Sequence, residues 1–325
     1  DLTVDLDEET VTLDQNETET VTVSVEVPAG QQANKYCWEL TGTVTNDVTQ
    51  EASDVEEFNL IVPVLKECTM ELSKTSMTVD PEAEGSLTAT LTNAGNSDWS
   101  VSMAKTGSRS AWVDYDGASS GILPYDDGDG TKAFDLTVTP DDSVTAGDES
   151  VIVILAKDGN TVKCSKDLRV IVGQSFGAGL SLSTTSLSNI EPGSSGLATL
   201  TVTNQGNGMD NLRISASAPP SGWSVQLDAS TVSVGSKHGS DKSENVEVTV
   251  NVPVNALATE QIEITFSVLP AGGGVAYAEV MLSVSVEAIH GIEVIATALE
   301  QTGRSGSLVK FPITIQNTGN TEDNY

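Results

Sequence analysis

The residues with the clearest chemical potential lie in Asp126-Asp127-Gly128-Asp129-Gly130, where closely spaced carboxylates sit in a glycine-bent loop. Carboxylate oxygens are the ligands that a hard divalent cation takes, which makes Asp126, Asp127 and Asp129 candidate calcium ligands. Asp114 and Asp116 complete a cage if the loop folds back on them. The stretch lacks the closing bidentate glutamate of an EF-hand loop, and the competing reading is a solvated acidic loop.

Cysteine is the second source of chemistry. Side chains alternate between the two faces of a strand, and by that parity Cys68 shares a face with Met70 and Leu72, while Cys164 shares one with Leu168, Val170 and Val172. On the first and last strands of one sandwich both point inward on neighbouring strands, which predicts a Cys68–Cys164 disulfide. Such a bridge closes a loop of nearly a whole domain, contributes about 4–5 kcal/mol in the chain-entropy model, and implies an oxidising compartment. Cys37 has the opposite parity to Tyr36, Trp38 and Leu40 and faces away from their core. The competing reading for all three is a set of reduced thiols in a cytoplasmic protein.

Catalytic constellations are not assembled by the remaining residues. His238 lies in the polar loop Ser236-Lys237-His238-Gly239-Ser240 and His290 at a domain joint, and the sequence context of neither supplies a serine or cysteine suited to act as its nucleophile partner. Zinc-type Cys/His spacing is absent. The chain is therefore expected to be non-enzymatic, with calcium as its one possible cofactor. Asn16-Glu17-Thr18 is a glycosylation sequon, making Asn16 a candidate acceptor consistent with a surface location.

What positions these residues is a repeat. Asn93-Ala94-Gly95-Asn96, Asn204-Gln205-Gly206-Asn207 and Asn317-Thr318-Gly319-Asn320 begin 111 and 113 residues apart. Pro28, Pro140 and Pro253 are spaced by 112 and 113, and Trp112 and Trp223 each lie 19 residues after the first asparagine of their phrase. Shared periodicity in independent landmarks marks a tandem array. Each phrase is read as a turn at a strand end, with glycine at φ > 0 and asparagine bonded to its own backbone. Trp112 and Trp223 are read as packing residues.

Apolar and polar residues alternate throughout, as in Val246, Val248, Val250 and Val252 before Pro253. With about 110 residues per unit this predicts all-β architecture: tandem immunoglobulin-like antiparallel sandwiches in an elongated array. Residues 1–66 match the C-terminal half of a sandwich, 67–173 and 180–287 complete domains, and 288–325 an N-terminal half. Phe134-Asp135-Leu136-Thr137-Val138 is out of phase with its counterparts by one residue, which calls for a bulge or a shifted turn. Short joints, such as Gly173 to Gly179, predict stiff connections.

Composition supports strands: aromatic residues are 4% and the helix-forming stretches of Leu, Ala, Glu and Lys are missing. A formal charge of −32 repels nucleic acid and anionic membrane. No apolar run reaches the roughly 20 residues needed to span a bilayer. The chain begins within a pattern, so any targeting or anchoring segment is expected outside it.

At Thr199-Leu200-Thr201-Val202-Thr203-Asn204-Gln205-Gly206-Asn207, then Ser217 to Val225 with its Pro219-Pro220 pair, and Val250-Asn251-Val252-Pro253, the chain resembles a known group. It is similar to the immunoglobulin-like domain associated with carbohydrate-binding modules of α-galactosidases and, more loosely, to CARDB-type adhesion repeats of archaeal and bacterial surface proteins. The resemblance is fullest over 180–287 and weaker over 67–173, which lacks the proline pair before Trp112. It implies a fold and an extracellular or cell-surface location, and carries over no catalytic residues.

The resulting expectation is a non-catalytic structural protein of a cell surface, S-layer or extracellular filament. It would act as a rigid spacer and self-assemble through strand edges and end-to-end contacts with copies of itself or with neighbouring domains of a longer chain. The alternative is an adhesin or carbohydrate-recognition region with glycan partners. Nucleic acid is not an expected partner.

Overall fold

A computed structural model of the chain describes residues 2–44, 52–126 and 129–325. They separate into two compact units, Asp1–Asp141 with Asp148–Gly173, and Asp142–Gly147 with Gln174–Tyr325. The described residues contain strands, short 3-10 turns and no α-helix, as the β-branched, alternating sequence dictates. None of them forms a helix long and apolar enough to cross a membrane.

The first unit opens with β1 (Thr3–Leu6) paired antiparallel to β2 (Val23–Glu26), then the hairpin β3 (Asn34–Thr43) and β4 (Ser53–Val62). A full sandwich follows. Its strands are β5 (Cys68–Leu72), β6 (Ser76–Val79), β7 (Gly85–Asn93), β8 (Trp99–Thr106), β9 (Val113–Tyr115), β10 (Ser120–Leu123), β11 (Thr131–Val138), β12 (Glu149–Asp158) and β13 (Thr161–Val172). One sheet has the order β5-β7-β11-β9 and the other β10-β8-β12-β13-β6. The first strand region is split: β5 pairs antiparallel with β7, whereas β6 crosses to the other sheet and runs parallel to β13.

The second unit repeats this plan with β14 (Ala178–Leu182), β15 (Ser186–Ile190), β16 (Ser195–Asn204), β17 (Asp210–Ala216), β18 (Ser224–Leu227), β19 (Thr231–Val234), β20 (Ser243–Asn251), β21 (Gln261–Pro270) and β22 (Ala278–Val286). The sheets are β14-β16-β20-β18 and β15-β22-β21-β17-β19, again with a parallel pair, β15 and β22. Both sandwiches are thus immunoglobulin-like. The unit ends with the pair β23 (Ile292–Ala296) and β24 (Ile313–Asn317). β14 starts at Ala178, and Gly179 in it pairs with Thr203 on β16.

The alternation rule fixes each core. In β16 the even positions Ala198, Leu200 and Val202 are buried, and they face Phe266, Val268, Leu282 and Val284 from the other sheet in a single hydrophobic cluster. Each of these side chains larger than alanine contributes about 1.5–3 kcal/mol when taken from water. Leu200 and Val202 are 0% exposed, whereas Ile313 and Ile315, their counterparts in β24, are 58% and 49% exposed. The residues of the end pieces therefore carry the same pattern without the same cover.

The phase irregularity at Phe134 is a shifted turn. β11 pairs with β7 in unbroken register from Thr131 to Val138, and Phe134, Leu136 and Val138 are buried. The second sandwich keeps a further buried residue, Val252, beyond its strand and next to Pro253, and the first sandwich has no counterpart to it before Pro140.

Candidate functional site

The recurring asparagine phrase forms a socket for the chain segment that enters each repeat. Its first asparagine ends a strand and closes the turn: Asn93 Oδ1 accepts the Gly95 N–H at 2.9 Å, Asn204 Oδ1 that of Gly206 at 2.7 Å, and Asn317 Oδ1 that of Gly319 at 2.8 Å. The amide nitrogens tie the same turn shut from the other side. Asn93 Nδ2 donates to Ser97 O and Pro124 O, Asn204 Nδ2 to Gly208 O and Gly235 O, and Asn317 Nδ2 to Thr321 O. Asn93 and Asn204 are fully buried, so these bonds also satisfy polar groups that water cannot reach.

The second asparagine reaches outward to the entering segment. Asn96 Oδ1 accepts the Leu65 N–H at 2.7 Å and its Nδ2 donates to Pro63 O at 3.0 Å. Asn320 does the same with Ile289 N–H at 2.7 Å and Glu287 O at 2.8 Å. Asn207 Oδ1 accepts from Ser175 N–H at 2.8 Å. The residue after the first asparagine donates its own N–H to the same segment, Ala94 to Glu67 O, Gln205 to Gly177 O and Thr318 to Gly291 O.

The backbone carbonyl of the second asparagine completes the set. Asn96 O accepts the Ala33 N–H at 2.9 Å, Asn320 O that of Ala258 at 3.1 Å, and within the second unit Asn207 O that of Ala146 at 3.1 Å. In the first unit Lys66 adds a half-buried ion pair to Asp158 at 3.0 Å, and the Tyr125 hydroxyl donates to Gly30 O.

Glycine serves close approach here and not the left-handed backbone read from sequence. None of Gly95, Gly206 and Gly319 has a positive φ. A Cβ on Gly95 would stand 2.1 Å from Leu65 O, on Gly206 2.4 Å from Ser175 O, and on Gly319 2.3 Å from Ile289 O. The entering segment lies against the glycine face, and any side chain there displaces backbone.

Other residues singled out by sequence fall as follows. Asp127 lies outside the described residues. Asp126 sits in the loop with φ 41° and Asp129 donates its N–H to Asp126 O. Asp114 is ion-paired with Lys105 at 2.9 Å, and among the described residues no three His, Cys, Asp or Glu side chains are grouped to hold a metal. Cys68 and Cys164 are bridged, with Cα atoms 5.6 Å apart, and Cys37 is a free, exposed thiol. His238 bonds the backbone carbonyl of Asp142 and His290 pairs with Asp323. Asn16 is exposed in a tight turn, with φ 67°, closed by the Glu17 N–H to Asp14 O bond.

Trp112 and Trp223 are buried, and each indole N–H finds a carboxylate, Asp141 Oδ2 at 2.9 Å and Glu260 Oε2 at 3.3 Å. Burial of the ring with its N–H paired is the ordinary solution for tryptophan. Arg109 lies over the Trp112 ring, 5.1 Å from its centroid.

Residues 190–269 match the family model described as the NPCBM-associated, NEW3 domain of alpha-galactosidase. The match lies inside the second of the two immunoglobulin-like sandwiches. The matched span contains the socket residues Asn204, Gly206 and Asn207. No curated protein matches the chain.

Among solved structures, the protocadherin GammaB4 extracellular domain is 10% identical, covering 98% of this chain and 48% of that one at a TM-score of 0.49. Domains 4 and 5 of the S-layer protein SbsC are 16% identical, covering 57% and 75% at 0.26. A protein of unknown function from Porphyromonas gingivalis W83 is 15% identical, covering 67% and 99% at 0.25. These likenesses are distant, and no functional reading rests on them.

Proposed function

We propose that this chain is a non-catalytic structural element of a cell surface or extracellular assembly, a spacer whose repeats are held in place by linker sockets. The single observation behind this reading is the threefold repetition of one bonding scheme, in which a phrase carried by each repeat grips the backbone of the segment that enters it. Polar chemistry repeated at the joints suits a part that bears shape. The division into 1–66, 67–173, 180–287 and 288–325 belongs to the same proposal.

The end pieces extend it to self-association. Among the described residues β2 and β24 each have one side without a partner strand, and in the complete repeat β16 lies against β20. A complementary half from a second copy or from a neighbouring part of a longer chain closes both. Electron microscopy of purified native material tests this: ordered fibres or sheets support assembly, and dispersed single particles overturn it.

The match to a domain of alpha-galactosidase favours a second reading, a recognition region accompanying a glycan-active protein. Binding to arrayed glycans with no assembly selects it. Asn16 is the proposed glycan acceptor. For Asp126, Asp127 and Asp129, a melting temperature lowered by chelation supports calcium, and an unchanged one ends that reading.

A further inference from the structure

Each sandwich is tethered through its first and last strands, and the two sandwiches differ in what joins those strands. In the first, the docked segment Pro63 to Glu67 leads directly into Cys68 at the start of β5, and β13 carries Cys164 and leaves at Gly173. The Cys68–Cys164 disulfide spans a separation of 96 residues and so connects the entry strand covalently to the exit strand.

The second sandwich has alanine at both positions. Ala178 stands opposite Asn204 as Cys68 stands opposite Asn93. Ala278 stands opposite Val268 on β21 as Cys164 stands opposite Ala156 on β12, each four residues before the buried leucine, Leu282 or Leu168, of its strand. Pull applied along the chain therefore passes through the disulfide in one sandwich and through the whole folded body in the other.

We propose that the Cys68–Cys164 disulfide is a redox-set stop on extension, making the first sandwich inextensible under tension while the second remains able to pay out its full length. The residues between the two sulfurs lie off the covalent load path, so unfolding them lengthens the chain by almost nothing. Reduction by an external dithiol removes the stop. One of its thiolates attacks a sulfur of the bridge, the protein S–S bond breaks, the departing cysteine leaves as a thiolate and takes up a proton, and the second thiol of the reagent frees the other cysteine by closing its own disulfide. The inference rests on the spacer reading only in supposing that the chain bears load.

Holding the 325-residue chain by its two ends in a force spectrometer tests it. The oxidised chain is expected to show the long unfolding step of the second sandwich without its equal from the first. Dithiol adds a step longer by roughly 320–350 Å, the span of the 96 released residues at full extension. Identical step patterns before and after reduction overturn the proposal. Because Cys164→Ser can impair folding, the double variant Ala178→Cys/Ala278→Cys gives the mirror test: on oxidation the long step of the second sandwich disappears, and its persistence overturns the proposal. Small-angle scattering without load separates the two readings, since a chain that bends freely yet shows the dithiol-dependent step keeps this inference and loses the spacer.

Discussion

Asn96 holds Leu65 through its side-chain oxygen at 2.7 Å while its own backbone N–H reaches Leu65 O at 3.1 Å, so one residue satisfies both backbone groups of another across 31 positions of sequence. Replacing Asn96 by alanine leaves the Leu65 N–H and Pro63 carbonyl without these partners. We expect a loss of about 1–3 kcal/mol, together with faster hydrogen exchange at the Leu65 amide. Unchanged exchange there means that the side chain does not hold the segment.

Gly95→Ala tests the close approach directly. With Leu65 O 2.1 Å from the new Cβ, the segment must lift, at a cost of about 1–3 kcal/mol, and protease sensitivity between Pro63 and Glu67 should rise. Gly30→Ala is the matched control. Its φ of +79° strains any side chain by about 1–2 kcal/mol, but nothing lies within 4 Å, so stability falls without new cleavage in the segment.

Reducing the Cys68–Cys164 bridge should destabilise the first sandwich by about 4–5 kcal/mol and leave the second untouched. Calorimetry with and without reductant reads this as one transition moving down past a stationary one. A common shift of both transitions contradicts it.

Burial pushes the Tyr115 phenol up to about 12 from its ordinary 10, and its buried hydroxyl has no hydrogen-bond partner among the described residues. A folded-state pKa above the unfolded one means that the native state keeps its proton where the unfolded state has lost it. The contribution is whole below pH 10 and falls between about pH 10 and 12. Denaturant midpoints measured across that window should fall in the wild type and fall less in Tyr115→Phe.

The repeat, its period and the all-β class were legible because alternation and spacing are local properties. The inward parity of Cys68 and Cys164 was legible for the same reason. The purpose of Gly95, Gly206 and Gly319 was not. A glycine beside an asparagine at a strand end has the composition of a left-handed turn, and the backbone it makes room for is some 30 residues away in sequence. A signal was present in the phrase: the turn needs only its first asparagine, yet Asn96, Asn207 and Asn320 recur with equal regularity. The carboxylate partners of Trp112 and Trp223 were hidden likewise, since Asp141 and Glu260 lie on loops of different sequence.

The sockets grip main chain, and the gripped stretches Pro63-Val64-Leu65-Lys66-Glu67, Ser175-Phe176-Gly177 and Glu287-Ala288-Ile289-His290-Gly291 have almost no side chain in common. A repeat that carries its own joint, and in all three copies holds the peptide backbone of the entering segment, behaves as a cassette. Gene duplication, deletion or transplantation can then change the number of repeats without redesigning any seam, and length becomes a trait that evolution can adjust in whole steps.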